Sequence, residues 1–253
     1  IAWVAFTHCF LRTAFALSNI PFSSLQARLS GDSKERTTLA GMRMLGAGVG
    51  GLSVALLGPA IVHSLSADEA QGYFLAGIVG GVLTLVTLLY VVLVMREPEE
   101  GPAVKHEAFW GDLGSFFVQL FRNGPLARIF IVLVVVSLAL TMFSKNILYY
   151  FKYVLEAPPG SESIALIMTP VALILLVPAW ILLANRTSKR TAWMVASAFA
   201  ATGYASLYLN PVREVGVTYL MMSLASIGSS GFGVLMWSML PDTVEWGEVK
   251  LGV

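Results

Sequence analysis

Apolar runs of about 20 residues recur along the chain, and each is long enough to cross roughly 30 Å of hydrocarbon as a helix. Of the 253 residues, 57% are hydrophobic and 12% charged, about half the charged share usual in a soluble domain. Backbone polar groups in lipid must be satisfied internally, so the pattern predicts an all-α polytopic membrane protein. We predict seven spans, over residues 1–26, 39–63, 71–95, 126–151, 162–184, 191–209 and 215–240.

The basic residues are distributed unequally between the two sides of the membrane. Alternating sides along the spans leaves only Lys152 and Arg213 on one side. The other side receives twelve: Arg28, Lys34, Arg36, Arg43, Arg96, Lys105, Arg122, Arg128, Arg186, Lys189, Arg190 and Lys250. The positive-inside rule places these twelve in the cytoplasm.

The longest connection divides the chain into unequal parts. Residues 96–125 are rich in Pro and charge, and they separate three spans in 1–95 from four in 126–253. Apolar residues at helical spacing within this connection indicate a short amphipathic helix at the membrane surface, although a solvated linker fits equally well. The chain begins within a span and ends just past one, so we expect it to be part of a longer protein.

Two cytoplasmic segments resemble each other and suggest duplicated halves, as in many transporters. The first predicted span ends "PFSSLQARLSGDSKERTTL" and the seventh ends "MWSMLPDTVEWGEVKLGV". Charges occupy matching places in the two segments: Asp32, Glu35 and Arg36 in the first, Asp242, Glu245 and Glu248 in the second. We predict that these two loops pair across the cytoplasmic mouth as gate elements. A solvated loop surface is the alternative.

Two basic residues lie inside predicted spans. Arg12 shares a helix face with Asn19, and a lone Arg at mid-bilayer costs about 2.5 to 3.5 kcal/mol. A water-filled or protein-lined cavity is therefore favoured for Arg12 over snorkelling to the surface. Lys145 lies on one line with Tyr149, and for it the two alternatives are nearly equal. The aromatic residues beside Lys145 fit either an interfacial belt or a stacking platform for a sugar ring.

The glycine-rich stretch "GAGVGG" has the spacing of a dinucleotide-binding fingerprint but lies inside an apolar helix. Gly46 and Gly50 instead predict close packing of two helices. Cys9 is the only cysteine, and HExxH, GxSxG, CxxC and Walker A patterns are all missing. The sequence therefore predicts no enzyme, no metal site and no cofactor, and it has no basic patch of the kind that binds nucleic acid.

Three stretches together resemble the melibiose permease group, the glycoside-pentoside-hexuronide:cation symporters of the major facilitator superfamily. They are "NIPFSSLQARLSGDSKERTTLAGMR", "ILYYFKYVLEAPP" and "MWSMLPDTVEWGEVKLGV". The resemblance implies a twelve-helix parent in two halves, of which this chain corresponds to helices four to ten. It also implies alternating access and Na⁺ or H⁺ as the coupling ion.

The resemblance suggests site residues one by one. Asn19 and Ser23 stand where the melibiose permease group has a carboxylate and a Trp near the sugar, and Arg43 matches an Arg beside the sugar. We predict Asn19, Arg43, Lys145, Tyr149 and Arg12 as substrate-binding residues. If Arg12 and Lys145 both line the pocket without a carboxylate, an anionic sugar such as a uronide or a sulfonated sugar is favoured.

Together with this resemblance, the sequence predicts a symporter of a glycoside or related sugar, a multi-pass protein in the lipid bilayer of the inner (plasma) membrane. Two alternatives stay open. One is a transporter of the same fold that carries a lipid or another amphipathic solute. The other is a seven-helix receptor, because seven spans with an outside N-terminus give that topology too.

Overall fold

The computed structural model describes residues 2–94, 109–210 and 212–251, and the elements within these ranges are helices. The prediction of an all-α membrane protein is confirmed. The helices are α1 (Ala2–Arg28), α2 (Ser33–Leu65), α3 (Glu69–Val94), α4 (Phe109–Arg122), α5 (Gly124–Tyr149), α6 (Ser161–Arg186), α7 (Lys189–Leu209) and α8 (Val215–Leu251). A π-helical turn, Tyr150–Val154, continues α5.

Five helices of the described ranges are long and apolar enough to cross a membrane: α2, α3, α5 with its π-helical turn, α6 and α8. The other two predicted spans coincide with α1 and α7, which have 27 and 21 residues. At 1.5 Å per residue these helices are about 40 and about 30 Å long, enough to cross hydrocarbon. For α1 and α7, a membrane-spanning role stays a prediction. The connector between the predicted halves contains α4.

Two helices extend beyond the bounds of the predicted spans. Only residues 29–32 separate α1 from α2, because Asp32 caps α2: its side chain accepts a hydrogen bond from the Lys34 N–H at 2.8 Å. Such a cap satisfies one of the free N–H groups at a helix start. At the other end of the chain, α8 continues to Leu251. The prediction that Glu35, Arg36, Asp242, Glu245 and Glu248 lie in loops was therefore wrong: helical turns carry them.

Small residues let α7 and α8 pack with their backbones in contact. The buried face of α7 carries Ala192, Ala196, Ala200 and Gly203. A Cβ on Gly203 would collide with the backbone of Ala225, and one on Gly228 would collide with the backbone of Ala200. Small residues that recur every three or four positions are typical of closely packed membrane helices. α6 packs on the same unit, where the Trp180 Nε1–H donates to Ser230 Oγ at 2.9 Å.

Helix α2 packs against both α6 and α8. Gly41 and Gly48, seven residues apart, are buried on the face toward α6. A Cβ on Gly41 would overlap the Ile181 side chain, and a Cβ on Gly48 would lie 3.1 Å from Ile174 Cγ1. The prediction of close packing at Gly46 and Gly50 was wrong, since no described atom lies within 4 Å of a Cβ built there. The glycine run is correctly placed in a helix, but another face of that helix is buried.

Candidate functional site

A cluster of charged side chains joins the N-terminal end of α2 to the C-terminal end of α8. Arg36 is buried, with its side chain 5% exposed, although it lies in the first turn of α2. Its Nη1 donates to Asp242 Oδ1 at 3.3 Å, and its Nη2 donates to Glu245 Oε1. The Arg36 Nε–H donates to the backbone carbonyl of Ser30 at 2.8 Å. One guanidinium therefore connects the segment before α2 to the last turns of α8.

Lys189, at the start of α7, adds a second cation to this cluster. Its Nζ donates to Asp242 Oδ2 at 2.7 Å and to the backbone carbonyl of Ser238 at 2.9 Å. Ser33 Oγ also donates to Asp242 Oδ2, at 3.3 Å. Asp242 of α8 thus accepts hydrogen bonds from two other helices, from Arg36 and Ser33 of α2 and from Lys189 of α7. Charge-assisted bonds of this kind are stronger than neutral ones.

The predicted gate residues divide into two groups. Arg36, Asp242 and Glu245 are brought together as described. Asp32 and Glu35 are not: Asp32 caps α2, and Glu35 Oε2 accepts from Ser30 Oγ at 2.6 Å within the first segment. The side chain of Glu248 lies outside the described part of the chain.

A second polar cluster surrounds Arg43, nearly two helical turns after Arg36 on α2. Arg43 Nη2 donates to Asn19 Oδ1 and to Ser23 Oγ, both at 3.0 Å. The guanidinium carbon lies 4.2 Å from the centre of the Trp237 ring and 5.5 Å from that of Phe22. α1, α2 and α8 therefore build one half-buried site that combines a cation, an amide, a hydroxyl and two aromatic rings.

The two clusters lie one behind the other along α2. Arg43 follows Arg36 by seven residues, which is about 10 Å of helix and nearly two full turns. Trp237 precedes Asp242 by five residues on α8, which runs in the opposite direction. Met44 and Gly233 are in contact beside the Arg43 cluster. The charged cluster therefore lies next to the Arg43 cluster, on the side toward the start of α2 and the end of α8.

A cleft of about 410 Å³ opens beside Asn19. Residues of α1 and α3 line it: Leu11, Ala14, Phe15, Ser18, Asn19, Phe22, Thr84 and Leu88. Apart from Asn19, Ser18 and Thr84, these side chains are apolar. The cleft offers room for a solute that contacts Asn19 and Phe22 at once.

The remaining predicted site residues lie apart from the Arg43 cluster. Lys145 and Tyr149 are exposed on α5. The Tyr149 ring stacks on Tyr153 with centroids 6.2 Å apart, and Lys152 Nζ lies 5.2 Å from the Tyr153 ring centre. Arg12 is exposed on α1, two turns from Asn19. A substrate-binding role for Arg12, Lys145 and Tyr149 stays a prediction.

Sequence reasoning missed several residues of these clusters, among them Phe22 and Ser33 as well as Trp237 and Lys189. Trp237 lies in the quoted stretch "MWSMLPDTVEWGEVKLGV", and a Trp four to five residues before the charged run was an available signal. Lys189 was counted only as a cytoplasmic charge, because nothing in its local sequence indicates that α7 starts beside α8. In the described ranges, no group of three His, Cys, Asp or Glu residues could hold a metal ion.

Comparison with known proteins gives a consistent result. The sequence model of a family described as MFS/sugar transport protein matches residues 1–253. The chain is 24% identical over its whole length to the glucuronide carrier protein homolog of Escherichia coli strain K12, of which it covers 54%. It is 22% identical over its whole length to the isoprimeverose transporter of Lactiplantibacillus pentosus, of which it covers 53%. It is 23% identical over 98% of its length to the human sodium-dependent lysophosphatidylcholine symporter 1, of which it covers 50%. The chain therefore spans about half the length of these relatives.

Proposed function

Because the chain belongs to the MFS/sugar transport protein family, as the three resembling stretches predicted, we propose that it serves cation-coupled symport of a glycoside or related sugar across the inner membrane. Residues 1–95 and 126–253 belong to two halves of the transporter, as helices four to six and seven to ten, and 96–125 connects them. The coupling ion is Na⁺ or H⁺. The description of the family names transport, which favours a transporter over the seven-helix receptor.

One observation carries the proposal. A polar cluster around Arg43 lies between α1, α2 and α8, and the charged cluster around Arg36 joins α2 to α8 about two helical turns nearer the start of α2. Transporters that work by alternating access bind their solute between two halves and open one mouth at a time. The Arg36 cluster is the closed cytoplasmic mouth, and the Arg43 cluster is the site behind it.

The chemistry of the Arg43 cluster suits a sugar. Asn19 and Ser23 offer an amide and a hydroxyl that exchange hydrogen bonds with sugar hydroxyls. Trp237 and Phe22 provide ring faces for the apolar side of a pyranose. The names of two relatives also indicate sugars, a glucuronide and isoprimeverose.

A lipid-like solute is the second candidate, and the cleft between α1 and α3 favours it. Its lining is mostly apolar, with Leu11, Phe15 and Leu88 among the residues. One relative is named for lysophosphatidylcholine. In this alternative the chain of the solute lies in the cleft and its polar end meets Asn19.

Uptake into vesicles that carry the transporter expressed from its full coding sequence separates the two candidates. The panel contains radiolabelled neutral glycosides, acidic glycosides and lysophosphatidylcholine, each with an imposed Na⁺ or H⁺ gradient. Gradient-driven accumulation of a glycoside supports the proposal and identifies the ion. Accumulation of lysophosphatidylcholine alone overturns it in favour of the lipid candidate.

The charge of the sugar is tested with Arg12 and Lys145. If they line the pocket, replacing either by Gln weakens transport of an acidic glycoside far more than that of a neutral one. Equal effects on both substrates would remove the anionic-sugar hypothesis. Lys34→Gln, which removes an exposed cytoplasmic charge, is the matched control.

A further inference from the structure

Asn123 is the single residue between two helices, since α4 ends at Arg122 and α5 begins at Gly124. Its side chain is buried, at 5% exposure, yet both of its polar ends are satisfied. The Oδ1 atom accepts a hydrogen bond from the Leu126 N–H at 3.1 Å and so caps α5. The Nδ2 group donates to the backbone carbonyl of Thr243 on α8 at 2.8 Å. A buried amide that loses such a partner costs about 1 to 3 kcal/mol, so this contact holds α8 against the connector.

The surface of α8 is shaped to receive this side chain. Gly247 lies one helical turn after Thr243 and is buried. A Cβ at position 247 would lie 2.5 Å from Asn123 Nδ2, closer than real Cβ contacts come. The glycine therefore leaves the space that lets Asn123 reach the Thr243 carbonyl.

The contact falls within the gate segment of α8. Thr243 follows Asp242 directly and precedes Glu245 by two residues. Asn123 therefore binds the helical turn that carries both carboxylates. Pro241, just before this turn, has no N–H and removes one hydrogen bond from the helix there. The last turns of α8 are thus held less firmly by their own helix and depend more on contacts from the side.

We propose that Asn123 is a positioning residue for the cytoplasmic gate. It fixes the end of α8 so that Asp242 and Glu245 meet Arg36, and it ties the connector between the halves to the same point. This inference rests on the gate role given above to the Arg36 cluster. Asn123 itself makes no contact with the carboxylates.

Two variants break the contact in different ways. Asn123→Asp keeps an oxygen for the α5 cap but places an oxygen against the Thr243 carbonyl. Gly247→Ala keeps Asn123 in the sequence, but the added methyl group displaces its amide from the Thr243 carbonyl. Gly216→Ala is the control, because it changes a glycine of the same helix with no described atom within 4 Å of its Cβ.

The first measurement is amide hydrogen exchange of residues 242–251 in the full-length transporter. Both variants are expected to accelerate exchange there by roughly fivefold, which corresponds to about 1 kcal/mol for one hydrogen bond, and Gly216→Ala leaves it unchanged. Unchanged exchange in both variants overturns the proposal, because the end of α8 would then be held by other contacts.

The second measurement reads the gate itself. Thr37 is fully buried one residue after Arg36. Thr37→Cys is placed in a background where Cys9 and every cysteine outside residues 1–253 are replaced by Ser, and it reports opening through its reaction with a membrane-impermeant maleimide on inverted vesicles. Faster labelling in both variants supports a positioning role. If both variants exchange faster but are labelled at the same rate as Gly216→Ala, the contact is merely structural and the positioning role is refuted. If Arg36→Gln also leaves labelling unchanged, the gate is what fails, and the positioning role fails with it.

Discussion

The proposed gate leads to one prediction whose size follows from the structure. Arg36→Gln removes the guanidinium that connects Asp242 and Glu245 to α2. The two carboxylates are 33% and 50% exposed, so solvent screening limits each ion pair to about 1 kcal/mol. Together they stabilise the closed mouth by about 2 kcal/mol, and their loss shifts the ratio of closed to open mouths by about 30-fold.

The assay is the maleimide reaction of Thr37→Cys in inverted vesicles. Arg36→Gln is expected to accelerate labelling by about the same 30-fold factor if opening limits the reaction. Lys34→Gln removes an equal charge from an exposed position two residues earlier and is expected to change little. Equal labelling rates in Arg36→Gln and Lys34→Gln would show that the ion pairs do not hold the mouth closed.

Three further predictions concern single contacts between helices. Lys189→Gln loses its bond to Asp242 and is expected to accelerate the same labelling by roughly fivefold, and a rate equal to that of Lys34→Gln would contradict this. Gly41→Ala overpacks the contact of α2 with α6 and is expected to cost about 1 to 3 kcal/mol, seen as a lower thermal unfolding temperature, whereas Gly46→Ala, facing open space, costs nothing. Trp237→Leu removes the ring beneath the Arg43 guanidinium, a contact of up to about 2 kcal/mol, and is expected to raise the KM of uptake by roughly tenfold; an unchanged KM would place the substrate elsewhere.

The sequence was sufficient for the fold class because lipid leaves few choices. Apolar runs and their charged ends predicted the helices. The two similar charged segments predicted that the two regions would pair, but not which residues would meet. The helix bounds were harder to predict. Hydropathy marks where the lipid ends, whereas capping by Asp32 decides where α2 begins.

Contacts between distant helices were beyond the sequence. Gly41 and Gly46 look alike in a list of small residues, and only the orientation of α2 toward α6 decides which one is buried. The bond from Asn123 to Thr243 joins residues 120 positions apart, and neither side chain has a local motif that predicts the other. Such pairings depend on how whole helices are arranged.

The contact between α7 and α8 has a mechanical consequence. Gly203 and Gly228 bring the two backbones together at two neighbouring points, where no flexible side chain is present to rearrange. Sliding either helix by one residue would drive a Cβ of its partner into a peptide group, so the pair cannot change register. The interface of α2 with α6 and α8 is different, since the ends of Ile181 and Met44 fill it and these side chains can adopt other rotamers. If the protein works by alternating access as proposed, α7 and α8 are expected to move together as one rigid body, and their movement relative to α2 is expected to occur at the interface of α2 with α6 and α8.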